Sequence, residues 1–288
     1  MDQYLKVWRS FEMQKAQYIP IVVPQKHYVD QRGLDNAYHE NNLALHIENN
    51  HIIMLIRQVN YRKFHNQSFT VGESISKSHY CMLSGPGYDH LTFTDLIYDW
   101  NNFPSYNTYW LGMEDIRFIN HDELLVTVPQ CNSNGLPCLF LATLCNNKIV
   151  LKEKLSPSIQ EKNWMPFDDQ VVYSVCPLVI KDLRKDHRRL VCENDLKNYH
   201  GSTNGIKYKD QWLFLIHRYH QNKVEHRWML FDEVTEKMKV SEPFVFFTHS
   251  FLEFNSSLCW YEGMIHASLA VNEDKIYVAV INPKDIPI

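Results

Sequence analysis

Glu114 and Asp115, followed by Arg117 in the segment Leu111–Phe118 (LGMEDIRF), are the sharpest chemical signal in the sequence. A carboxylate beside a guanidinium is held ionised and in place, which suits a general base or an acceptor for a sugar hydroxyl. On a strand, neighbours point to opposite faces, so Asp115 and Arg117 are expected on one face and Glu114 on the other. The ordinary alternative is a surface ion pair or a turn.

Similar polar groups interrupt apolar stretches elsewhere. His39–Leu45 (HENNLAL) carries Asn42, and the apolar stretch after it ends in Arg57. Glu161–Phe167 (EKNWMPF) carries Lys162 and Asn163, and Gly201–Tyr208 (GSTNGIKY) precedes a stretch that ends in His217 and Arg218. Glu225–Trp228 (EHRW) follows, then Phe251–Phe254 (FLEF) with Glu253, then Asn272–Asp274. Taken singly, each has a structural reading: a strand-closing arginine, a loop anchored by Trp164, a solvated strand end. Their recurrence at the edges of hydrophobic strands favours a shared functional role.

The elements that must position these residues are short. His51–Arg57, Glu123–Val128, Cys138–Leu144, Lys148–Lys152, Val171–Val175, Gln211–His217, Arg227–Phe231, Met264–Ala270 and Lys275–Ile281 are rich in β-branched and aromatic residues and bounded by polar or turn residues. That is the strand signature, and few windows show helical periodicity. Asp2–Gln17 is the one amphipathic helix expected, as an extension over residues 1–20. Many strands without helical crossovers give an all-β sandwich, barrel or propeller. Five blades of four strands need roughly 250–300 residues, and the chain has 288 with no Pro/Gly/Ser-rich linker. The expectation is one five-bladed β-propeller domain over residues 1–288, with the polar clusters converging on its axis.

Composition narrows the function. Lys and Arg number 29 against 33 Asp and Glu, a formal charge of -4, so nothing suggests nucleic-acid binding. Aromatic residues make up 13% of the chain, which fits a β-rich core or stacking platforms for sugar rings. The seven cysteines form no CxxC pair and match no zinc spacing, so no metal site and reduced thiols in a cytoplasmic compartment are expected. The charged N-terminus does not read as a signal peptide, and no apolar run approaches a membrane span.

Read in order, the clusters resemble the five-bladed propellers of glycoside hydrolase family 130, the mannoside phosphorylases and β-1,2-mannosyltransferases, and still more their glycosyltransferase-associated relatives. The family's Asn-Pro-Ser/Ala segment matches Asn42-Leu43-Ala44, and its strand-ending Arg matches Arg57. Gly-x-Glu-Asp-Pro-Arg matches Gly112, Glu114, Asp115 and Arg117, and Lys-Asn before an apolar-Pro step matches Lys162, Asn163 and Pro166. The Gly-rich segment before a Trp-Leu strand ending in His matches Gly201–Gly205, Trp212-Leu213 and His217. The late acidic positions match Glu253 and Asp274. Leu43 and Ile116 stand where the family has Pro, and Ala270 where it has Gly.

The resemblance implies an inverting reaction at a glycosidic bond of a carbohydrate substrate, with no cofactor. Asp115, with Glu114 as its rival, would protonate the departing oxygen directly or through a sugar hydroxyl. An attacking phosphate, or the phosphate of a sugar-phosphate or nucleotide-sugar donor, would be held by Arg57, Arg117, Lys162, His217 and Arg218. An attacking water would need a second carboxylate about 6.5–9.5 Å from the first, with Glu253 or Asp274 available. Three functions stay open: glycosyl transfer or phosphorolysis, hydrolysis by two carboxylates, and a propeller that binds glycan or protein without catalysis. The departures from the family pattern keep the third in play.

Overall fold

In the computed structural model, residues 11–12, 15–64, 67–70, 72–106, 109–156, 160–221 and 223–288 are described. Five antiparallel sheets follow one another around a ring as the blades of a β-propeller. Blade 1 is built from His39–Glu48, His51–Val59, Ser76–Gly85 and Thr92–Asp95, and blade 2 from Glu114–Phe118, Glu123–Thr127, Leu139–Cys145 and Lys148–Lys154. Blade 3 comprises Met165–Phe167, Gln170–Ser174, Leu178–Asp182 and Arg188–Cys192. In blade 4 the inner positions of Gln211–His220 are paired by two pieces, His200–Gly201 and Ile206–Tyr208, and Lys223–Asp232 follows. In blade 5, Glu253–Phe254 and Leu258–Tyr261 flank Met264–Val271, followed by Lys275–Ile281.

The ring closes at blade 5. Gln17–Ile21 runs antiparallel to Lys275–Ile281, from Gln17 opposite Val280 to Ile21 opposite Ile276, so an early strand of the chain supplies the outermost strand of the last blade. This corrects the expected N-terminal helix where it can be seen. Phe11–Glu12 pairs with Phe244–Val245 and residues 17–21 are strand; residues 1–10 and 13–14 lie outside the described residues. Tertiary pairing overrides local helical texture here. The described residues contain no α-helix, only three short 3₁₀ turns, and no helix long and apolar enough to cross a membrane.

The core is divided among the gaps between blades. One apolar cluster joins Leu55 and Tyr80 of blade 1 to Met113, Ile116 and Phe140 of blade 2; another joins Leu125 and Leu141 to Trp164 and Val171 of blade 3. Corresponding clusters fill the junctions of blades 3 and 4, 4 and 5, and 5 and 1. This explains the alternation of strongly apolar strands with polar edges: each sheet buries both faces against neighbours, as sheets sandwiched on both sides do. Near the axis, polar side chains zip the inner strands. The Leu45 N–H donates to Ser257 Oγ at 2.9 Å, and Asn204 accepts from the Leu258 N–H and donates to its carbonyl, both at 2.9 Å.

Candidate active site

The inner strands of blades 1 and 2 begin with the same device. In blade 1 the register slips between Glu40 and Leu43, and in blade 2 between Glu114 and Arg117. A bulge lets two successive side chains reach one side. Asn41 and Asn42 therefore both line a cavity of about 590 Å³ at the ring's centre, and so do Glu114 and Asp115. Asp115 takes a left-handed φ of 46°, a conformation uncommon for a side-chain-bearing residue and tolerated best by Asp and Asn. The expectation from simple alternation, that Glu114 and Asp115 diverge, is corrected by this bulge. Blade 3 repeats the pattern just before its inner strand: Asn163 has φ 66°, and both Lys162 and Asn163 line the cavity.

Arg57, on the second strand of blade 1, anchors the two carboxylates from behind. It is 4% exposed. Its Nη2 donates to Glu114 Oε1 at 2.6 Å and to the Tyr61 hydroxyl at 3.2 Å, its Nη1 lies 3.7 Å from Asp115 Oδ1, and its Nε donates to Ser78 Oγ. Asn42 Nδ2 donates to Asp115 Oδ1 at 2.6 Å. Asp115 is thus oriented by an amide and a guanidinium from the neighbouring blade, and keeps an oxygen for a ligand.

Arg117 departs from its expected place. The bulge turns it away from the cavity into the blade junction, where it is fully buried. Its Nε donates to the Ser202 carbonyl at 2.6 Å and its Nη1 to the Asp115 carbonyl at 3.2 Å, while Nη2 has no hydrogen-bond partner. It holds the backbone of Asp115 and ties blade 2 to blade 4, and it does not line the cavity. Burial pulls its guanidinium below the usual arginine value, with the neighbouring Asp115 carboxylate opposing.

His217 does line the cavity, its Nδ1 2.6 Å from Ser202 Oγ. Burial first, then His226, His200, Arg117 and Lys162, push its imidazole well below the ordinary range, so it is neutral at pH 7. It offers hydrogen bonds and no charge. Lys162 lines the same wall and has no carboxylate within ion-pair distance among the described residues. Arg218 points away: it pairs with Glu225 at 2.9 Å beside Tyr199. Asp274 is also outside, paired with Arg62 at 3.1 Å on the surface.

Glu253 borders the cavity but its carboxylate is committed. Oε2 accepts from the Phe246 N–H at 2.8 Å and Oε1 from the Phe247 N–H at 2.7 Å and from the Ser250 hydroxyl, with His226 Nε2 at 3.3 Å from Oε2. Burial alone would raise this carboxyl; the His226 ring, the Ser250 hydroxyl and the Phe246 N–H together hold it below the ordinary Glu range. Glu253 braces the loop at residues 246–250. Glu253→Gln is expected to cost about 1–3 kcal/mol at pH 7, because backbone donors lose a charged acceptor. A folded pKa below the unfolded one stabilises above the unfolded pKa and is lost as pH falls through the folded one. The wild-type advantage in urea titrations should therefore shrink below about pH 4.5, the ordinary Glu range, and an unchanged gap at pH 3 would overturn the assignment.

Several lining residues carry no motif of their own. Glu273, His200 and Asn198 reach the cavity beside Asn41, Tyr61 and Trp110. Glu273 sits in the turn Asn272–Asp274, where φ values of 54° and 53° at Asn272 and Glu273 decide which acid faces in. The inward acid is one residue before the one the family pattern matched. Ile116, in place of proline, is buried, and its N–H lies 3.5 Å from the Tyr80 hydroxyl. A second hollow of about 390 Å³ continues from Lys162, Asn163, Asn198 and His200 along blade 3 to Tyr173 and Cys176.

No family model and no curated protein matches the sequence. Solved structures do match its fold. A β-1,2-mannobiose phosphorylase from Listeria innocua superposes with TM-score 0.60 at 13% identity, covering 92% of this chain and 98% of that one. A glycosyl hydrolase from Bacteroides ovatus gives TM-score 0.63 at 12% identity, covering 92% and 90%. A protein described among the family 130 mannoside phosphorylases and hydrolases of β-1,2-mannosidic linkages gives 0.60 at 12%, again covering 92% and 90%. This chain shares the fold of the mannoside phosphorylases. At such identity the likeness concerns the propeller, whose axial cavity lies where Glu114 and Asp115 meet.

Proposed function

We propose that the protein is a carbohydrate-active enzyme that breaks or forms a glycosidic bond of a short glycan with inversion, using phosphate as the group exchanged with the sugar. The observation that carries the reading is the bulge that sets Asp115 in the cavity, fixed by Asn42 and Arg57. Asp115 would deliver the proton to the departing oxygen, directly or through a sugar hydroxyl. Glu114, ion-paired to Arg57, would accept hydrogen bonds from the sugar. Lys162 supplies cationic charge for a phosphate, and neutral His217 and His200 supply hydrogen bonds. Asn163 lies beside them for a further sugar hydroxyl.

Hydrolysis is the second reading. It needs a second carboxylate to activate water; Glu253 is bonded through both oxygens and Asp274 lies outside the cavity, which leaves Glu273, the inward acid, for that role. Two of the structural neighbours are described with β-1,2-linked mannosides, so short β-mannosides are the first substrates to offer. Incubation with β-1,2-mannobiose is expected to yield mannose 1-phosphate only when inorganic phosphate is present. Synthesis should run in reverse from the sugar 1-phosphate; a nucleotide sugar working in its place would name the other donor. Free mannose released equally without phosphate would make the protein a hydrolase, and saturable binding without turnover would make it a binding propeller.

A further inference from the structure

A second cluster of ligating side chains lies far from the cavity. His46 and Glu48 stand two residues apart on the inner strand of blade 1 and so share a face. His121 comes from the turn between Glu114–Phe118 and Glu123–Thr127 of blade 2. One ligand atom from each of the three lies within 4.8 Å of the other two. His46 Nε2 is 3.9 Å and His121 Nδ1 3.5 Å from Glu48 Oε2. On the inner strand, Glu48 lies six residues beyond Asn42, about 20 Å at the usual rise, toward the opposite face of the propeller.

We infer that His46, Glu48 and His121 bind a divalent transition-metal ion, for which zinc(II) is the probe, and that the ion staples blade 1 to blade 2. An ordinary histidine–glutamate ion pair explains the cluster less well. His46 Nε2 is buried without a hydrogen-bond partner, which is costly for a ring nitrogen, and 3.9 Å is too long for a hydrogen bond. The ring cannot easily turn elsewhere, since it packs on Phe118 at 5.1 Å and 30° and meets the edge of His121 at 5.8 Å.

The surroundings suit a metal. The His121 turn is held by the Asn120 side chain, which accepts from the Asp122 and Glu123 N–H groups at 3.1 and 2.9 Å. The second nitrogen of His121 lies 3.8 Å from Asp122 Oδ1, within ion-pair reach but longer than a hydrogen bond. Two imidazoles and one carboxylate favour zinc, nickel or cobalt over magnesium or calcium. Tetrahedral bonds of about 2.0–2.1 Å put ligand atoms roughly 3.3 Å apart, so closing requires shifts of at most about 1.5 Å. Glu48 and His121 are about half exposed and free to make them. Water would complete the shell. The third ligand arrives from another blade, so no local spacing in the sequence announces such a site.

The test uses the full chain after treatment with EDTA and desalting. Zinc(II) titrated by calorimetry should bind with one equivalent, and the melting temperature should rise with zinc concentration, as linkage requires. Magnesium should produce no rise. His121→Ala and Glu48→Gln alter exposed side chains, so both should fold with near-wild-type metal-free melting while weakening zinc binding at least tenfold. Cobalt(II) should give a visible absorption band that His121→Ala abolishes. Absence of binding, or wild-type affinity in both variants, would overturn the site.

Discussion

Asp115→Asn should lower turnover by about 10²–10⁴, the range for one positioned acid. Asn cannot donate the proton that the departing oxygen needs. It is nearly isosteric with Asp, and its carbonyl oxygen can still accept from Asn42 Nδ2, which holds Asp115 Oδ1 at 2.6 Å. Binding should therefore move by less than about tenfold, or about 1.4 kcal/mol. Glu114→Gln is the necessary control, because the bulge brings both side chains into the cavity. Glu114 carries the shorter contact to Arg57, at 2.6 Å, so its loss should appear mainly in stability and in KM. Steady-state kinetics of both variants, with ligand affinity from calorimetry, separates the roles. Full activity in Asp115→Asn would remove the acid assignment, and a collapse of kcat in Glu114→Gln alone would transfer it to Glu114.

Strands and ring size were legible because the chain's periodicity follows from each blade being buried on both faces. The convergence of Asn42, Arg57, Asp115, Lys162 and His217 follows from motif order. What strand alternation could not supply was the bulge. It sends Glu114 and Asp115 the same way and turns Arg117 inward to Ser202. The difference between Glu273 and Asp274 is likewise a matter of two left-handed residues in one turn, which side-chain identity does not announce. Glu253 shows the opposite case. Its acidic character in an apolar FLEF segment suggests chemistry, but the segment needs that carboxylate to satisfy the Phe246 and Phe247 N–H groups. Arg218 was attractive as a cation at a strand end, yet on the opposite strand the register sets Glu225 directly across from it. The N-terminal strand was hidden because its partner, Lys275–Ile281, comes from the far end of the chain.

Arg57→Met should cost both stability and activity, and by more than its distance from the substrate side suggests. The guanidinium is almost completely buried and joins Glu114, Asp115, Asn41, Tyr61 and Ser78. Removing one partner of a buried ion pair costs about 3–5 kcal/mol, because the other charge stays behind uncompensated. The lower end applies here, since Glu114 and Asp115 keep 20% and 17% of their side chains exposed to water. The kcat should fall together with stability, because Asp115 loses the guanidinium that orients its carboxylate. Arg57→Lys should recover part of the stability through its charge, but not the forked contacts to Glu114 and Tyr61. Urea unfolding together with kcat and KM of wild type, Arg57→Lys and Arg57→Met tests this. A variant that loses stability with kcat unchanged would reduce Arg57 to a packing residue, and a loss of kcat in Arg57→Met partly restored by Arg57→Lys would fix its role as the cation that orients the carboxylate pair.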